Sequence, residues 1–213
     1  MTRMRMITRL LACAALVATA ASCGDVVRTG RSPVMLVINN LTAASGGGFG
    51  AGVFGNMLHS DVQVLLTTPA PCSPTSPCPT IYSDSGQVTL SLALKDIGTT
   101  GATLAPTTNN QVTISRVHIE YIRADGRNTP GVDVPYPFDG AITGTVPAGG
   151  QVQLGFEIVK HIAKEESPLR QLVSSSSIIT TIARITFYGV DAVGNELNVT
   201  GQIQIDFGNF GDA

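Results

Sequence analysis

The sequence predicts an all-β chain: an antiparallel β-sandwich with long loops, preceded by a cleaved N-terminal signal helix. Three observations predict it. Eight strand-like segments recur along the chain, separated by clusters of Gly, Pro, Asn, Asp and Thr, which is the spacing of an antiparallel sandwich. Trp is absent and Gly numbers 23, while Thr, Ser, Val and Ile are plentiful; β-branched residues suit a pleated surface. Gln87 to Ile97 shows the clearest period of two, with Val88, Leu90, Leu92 and Leu94 on one face and Gln87, Thr89, Ser91 and Lys95 on the other. One face on a core and one in water is the reading of that pattern.

The remaining elements follow in order. Val34 to Leu41 is expected as a first strand, apolar on both faces and buried. Ala43 to Gly55 is Gly-rich and reads as a mobile loop carrying Gly48, Phe49 and Phe54 as contact candidates. Its Gly50-Ala51-Gly52-Val53-Phe54-Gly55 matches G-x-G-x-x-G in form. That motif binds nucleotides where it follows a strand and opens a helix, with an acid about 20 residues on. Here no long helical pattern follows and Thr75 stands at the acid's position. Asp61 to Thr67 is a second strand. Thr68 to Thr80 is a Pro-rich loop, semi-rigid because proline fixes φ, and serves as edge protection or as a contact surface.

Gly98 to Asn110 is a Thr/Gly/Asn loop. Val112 to Arg123 alternates with a slip: Val112 and Ile114 share one parity, while Val117, Ile119 and Tyr121 share the other. One extra residue near Ser115-Arg116 restores the face, so a β-bulge is expected there. His118 and Glu120 then point outward. Ala124 to Gly140 is dense in turn formers. Asp125, Asp133 and Asp139 could offer oxygen ligands, but their spacing is not that of an EF-hand. Tyr136 and Phe138, set among prolines, either pack the loop onto the sheets or form a contact patch; packing is the expectation, since aromatics are mostly buried mass.

Ala141 to Val146 and Gln151 to Val159 are strands. Between Lys160 and Ser177 the β pattern breaks. His161, Lys164, Glu165 and Glu166 read as a solvated charged connection, and Ser167-Pro168 as N-cap and N1 of a short helical turn over Leu169 to Val173. Ile178 to Val190 and Glu196 to Phe207 close the chain as a hairpin, with Gly194 supplying a left-handed turn position.

The N-terminus has its own logic. Arg3, Arg5 and Arg9 precede a twelve-residue apolar run, Leu10 to Ala21. A membrane-spanning helix needs ~20 apolar residues, so a basic start and a short apolar core read as a secretory signal. Ala20-Ala21-Ser22-Cys23-Gly24 resembles the lipobox of bacterial lipoproteins, with Ala20 where that pattern prefers Leu. The resemblance implies cleavage after Ser22, lipidation of Cys23 and a tether over residues 23–33. Gly24 rather than Asp after the cysteine points to the outer membrane. Acyl chains contribute ~0.8 kcal/mol per buried CH₂, so two or three anchor a soluble domain on a membrane.

Removing residues 1–22 leaves ten Lys+Arg against fifteen Asp+Glu. A mildly acidic chain without basic clusters is a poor partner for nucleic acid. Cys72 and Cys78 flank Ser-Pro-Thr-Ser-Pro; in an exported chain they read as a disulfide. They are not Cys-x-x-Cys and no His lies near in sequence, which disfavours redox or zinc chemistry.

Phe187-Tyr188-Gly189-Val190-Asp191-Ala192-Val193-Gly194-Asn195-Glu196 is similar to the last hairpin of bacterial immunoglobulin-like and fibronectin-type-III-like domains. Ser32-Pro33-Val34, the run Asp125 to Tyr136, and Lys164-Glu165-Glu166-Ser167-Pro168-Leu169 resemble phrases of small uncharacterised bacterial envelope lipoproteins. The resemblance implies one sandwich domain over residues 34–210 and an envelope location, with no assigned activity. Gly-x-Ser-x-Gly, His-Glu-x-x-His, Ser-x-x-Lys and Walker patterns are absent. The expectation is a non-enzymatic, membrane-anchored protein that binds an envelope partner or has a structural role, with no cofactor and no metal. The alternatives are a small-ligand or glycan binder using the same loops, and a hydrolase built around His118, His161 or the Asp125–Asp139 region.

Overall fold

The computed structural model describes residues 31–96, 98–99 and 102–211. The signal segment, Cys23 and most of the tether lie outside the described residues, as does Ile97. The chain is all-β. Its strands are β1 (Val34–Ala44), β2 (Met57–Asp61), β3 (Val64–Leu66), β4 (Cys78–Thr80), β5 (Asp84–Leu94), β6 (Gly98–Thr99), β7 (Ala102–Thr103), β8 (Val112–Ile122), β9 (Phe138–Val146), β10 (Gln151–Val159), β11 (Ile179–Asp191) and β12 (Glu196–Gly208). One turn of helix, α1 (His161–Glu165), and 3₁₀ turns at Thr108–Asn110 and Leu169–Ser174 complete the described elements.

Two main sheets form, a three-stranded one in the order β1-β5-β10 and a five-stranded one in the order β2-β12-β11-β8-β9. Apolar faces of both feed a single core, in which Phe156 of β10 meets Phe187 of β11 edge to face at 5.3 Å. The arrangement is compatible with a β-sandwich. All main pairings are antiparallel except β2 on β12, which is parallel; the all-antiparallel expectation misses that edge.

The alternation expected of the long strands holds. The bulge in β8 sits at Ser115: Arg116 pairs with Tyr188 and Ile114 with Gly189, leaving Ser115 unmatched. Val112, Ile114, Val117, Ile119 and Tyr121 are thereby all buried. Three expectations are corrected. β1 is not buried on both faces: Met35, Asn39 and Asn40 are exposed, while Val34 and Leu36 are buried. The second strand ends at Asp61 rather than starting there, and Val64–Leu66 is a separate short strand paired only with β4. The turn after α1, Leu169–Ser174, has Pro168 rather than Ser167 at its N-cap and no side-chain cap bond.

Strand registers sort the connections onto two ends. Val34, Leu94, Gln151, Val146, Val112 and Asp191 share one end, through the pairs Val34↔Leu94, Val112↔Val146 and Val112↔Asp191 and the turn joining β9 to β10. Chain entry lies there, at the start of β1. The opposite end holds the Gly-rich loop after Ala44, the disulfide loop between Asp61 and Asp84, the loop between Ile122 and Phe138, and the segment between Val159 and Ile179. Eleven residues of β1 separate the ends, which is about 33 Å at the usual strand rise.

Candidate functional site

The loop end is organised by a residue expected in solvent. Lys164, in α1, is among the largest fully buried side chains. Its ammonium lies 2.9 Å from Asp84 Oδ1 and 2.9 Å from Oδ2, with side-chain exposures of 1% and 0% for the pair. It donates a further bond to the Asp61 carbonyl at 2.8 Å. Asp84 also accepts from Ser60 Oγ at 2.6 Å and from Gly46 N at 3.0 Å. Four segments therefore meet at one buried carboxylate: the root of the Gly-rich loop, the end of β2, the start of β5 and α1. Burying charge demands such pairing. Tyr121 is buried close by and donates its hydroxyl to the Ile158 carbonyl at 2.7 Å. Burial, with the charges of Asp84 and Glu157, pushes its phenol well above the usual range.

On this frame stand two apolar surfaces. The first is Tyr136. It is 58% exposed, which corrects the expectation that it packs inward. Phe138 is half-buried, with Lys160 Nζ 4.3 Å from its ring centre. Pro135, Tyr136, Pro137, Phe138, Lys160 and Ile162 line a pocket of about 200 Å³. The loop presenting Tyr136 is braced. Asp125 accepts from Arg123 and Arg127 at 2.7–3.2 Å. Those bonds, Arg123 first, hold its carboxyl far below the ordinary range. Asn128 Oδ1 accepts from Arg123 N at 2.6 Å, and Asp133 Oδ2 from Thr129 N at 3.2 Å. The three aspartates that could have offered oxygen ligands are instead occupied in separate bonds.

The second surface is the Gly-rich loop. Phe49, Val53, Phe54 and Met57 are exposed, and Phe49, Val53, Met57 and His59 are among the residues lining a groove of about 330 Å³. His59 is flanked edge to face by Phe49 at 6.0 Å and Phe210 at 5.5 Å. Gly48 lies against the Asp61 carboxylate, where a Cβ would collide. The loop folds back by bridges Ala43↔Gly55 and Ser45↔Ala51 and leads into β2. It opens no helix, so the G-x-G-x-x-G match lacks the context that gives it meaning. The two surfaces stand at opposite edges of the five-stranded sheet, about 19 Å apart at the usual strand spacing.

Cys72 and Cys78 are bonded, with Cα atoms 5.3 Å apart. The β3–β4 ladder forms its own two-stranded sheet at the loop end. His118 does meet a carboxylate: its Nδ1 lies 3.1 Å from Asp139 Oδ1, which Arg116 also contacts at 3.0 Å. Burial raises the Asp139 pKa, and hydrogen bonds from His118 and Arg116 outweigh it, leaving the group lowered. This pair sits on the outward face of the sheet. Thr186, opposite His118, shares a hydroxyl bond with Thr200 at 2.9 Å. Of the three regions considered for a hydrolase, His118 and Asp139 therefore meet, on an exposed sheet face, while His161 is exposed at the start of α1.

No family model, curated protein or solved structure matches the chain. The sequence reading missed Lys164, Asp84 and Ser60. Lys164 sits in a charged run, Lys-Glu-Glu, that carries no mark of burial, and its partner is 80 residues away.

Proposed function

We propose that this chain is an exported, lipid-anchored protein without catalytic activity, held at Cys23 and binding another envelope protein through its loop end. One observation carries the reading: the chain enters the fold at one end, while Phe49, Phe54 and Tyr136 stand exposed at the other. A tether at one end directs the other away from the membrane. Exposed apolar side chains on braced loops favour contact, because apolar surface gains from burial and a rigid loop loses little entropy on binding. The immunoglobulin-like resemblance of the last hairpin fits this role, since such folds present function on end loops. The anchor is tested by fractionation. Wild-type protein is expected in the membrane fraction and Cys23→Ser in the soluble fraction; a membrane-bound Cys23→Ser protein with an unmodified N-terminus overturns it.

A further inference from the structure

The pair at the centre of the loop end sets an amine against a carboxyl inside the protein. Lys164 Nζ is 2.9 Å from each Asp84 oxygen, and both side chains are buried. Two full charges there carry a large desolvation cost, and joining the groups as an amide removes both charges. The surroundings fit that product. The Asp61 carbonyl, 2.8 Å from Nζ, would accept the amide N–H. The Gly46 N–H, 3.0 Å from Oδ1, would donate to the remaining carbonyl oxygen. Ser60 Oγ donates to Oδ2 at 2.6 Å, on the oxygen that would leave. Two donors on the carboxyl oxygens also stabilise the charge of a tetrahedral adduct. The fold holds amine and acid together, which makes the step intramolecular.

We propose that Lys164 and Asp84 form an isopeptide bond. A proton passes along the existing contact from Nζ to Oδ2, giving a neutral amine and a neutral acid. The Nζ lone pair adds to Cγ. The Nζ–Cγ bond forms, the Cγ–Oδ2 bond breaks, and Oδ2 leaves as water with the first proton and a second one from Nζ. Three ammonium protons become one amide proton and two in water, and no oxidant or co-reactant takes part. The product is a covalent ring from Asp84 to Lys164 that encloses β5 to β10 and ties α1 to the loop end. It stands independently of any partner.

The test is mass spectrometry of the full mature protein. The intact mass is expected one water below that of the disulfide-bonded chain with its N-terminal modification. A trypsin digest reads the bond whatever lipid is present: Lys164 resists cleavage, and the fragment 161–170 stays attached to 32–95. Lys164→Arg keeps the charge but lacks the attacking amine, and gives separate fragments. Wild-type protein without the loss of water, yielding a free 161–164 peptide, overturns the proposal.

Discussion

The ring of Tyr136 rests on Gly131, its hydroxyl and adjoining carbons filling the space that a Cβ would occupy. Gly131 itself has φ of 76° and donates its N–H to the Val134 carbonyl at 2.8 Å. An exposed aromatic is thus seated by backbone, between two prolines, on a loop braced by Asp125. A contact residue gains from such seating, because little freedom is lost when a partner arrives.

Gly131→Ala tests that seating. The methyl collides with the ring, and the left-handed backbone costs an L-residue about 1–2 kcal/mol. The expected outcome is a displaced Tyr136, read as a shifted Tyr136 ring resonance in NMR, with a stability loss of that order in urea. An unmoved resonance would show that Gly131 does not set the ring.

Lys164 and Asp84 predict a different pattern. Removing one partner prevents the bond and leaves the other group buried without a counter-charge, which by itself costs about 3–5 kcal/mol. Lys164→Met and Asp84→Leu are each expected to lower the urea midpoint strongly, while the double variant recovers part of the loss. Additive losses in the double-mutant cycle would show the two groups to be uncoupled.

Acid should loosen the end nearest the chain entry. Burial raises the Asp191 pKa, but bonds from the Asn195 side chain and backbone, the Ser32 hydroxyl and Val193 N outweigh it, and the net shift is downward. Asn195 N and Nδ2 each lie 2.8 Å from its oxygens. A folded pKa below the unfolded value of ~3.9 means stabilisation that is complete above that pH and lost as pH falls through the folded value. Asp191→Ala is therefore expected to cost about 1–3 kcal/mol at neutral pH and to flatten the stability curve below about pH 4. Denaturation midpoints measured across the acid range check both. Asp125 and Asp139 are also lowered, but they lie in solvent, where screening leaves such pairs little weight.

Local pattern made much of the fold legible. The parity change at Ser115 revealed a bulge because side-chain alternation in a strand is strict, and a residue out of step must be looped out. The closing hairpin was readable for the same reason: Leu197, Ile203, Ile205 and Phe207 alternate with exposed Glu196, Gln202 and Gln204. The site was less legible. Asp84 and Lys164 belong to different elements, and nothing local distinguishes a buried lysine from a solvated one. Tyr136 misled for a related reason. Burial is the usual fate of a tyrosine, and its exposure depends on Gly131 and on the Asp125 bonds, which appear only when the loop is closed. The parallel pairing of β2 with β12 joins residues 147 apart, such as Met57 and Gln204, and periodicity carries no record of partners.

The central claim is that the loop end meets a partner while the entry end does not. Photo-crosslinking in cells tests it most directly, with a photoreactive residue placed singly at Phe49, Tyr136 or Val193. Val193 is 77% exposed on the turn beside the chain entry, so it reports the opposite end with equal access. The account predicts one reproducible protein adduct from Phe49 and from Tyr136, and none from Val193. Adducts from Val193 alone, or no adduct from either loop-end position, would contradict it.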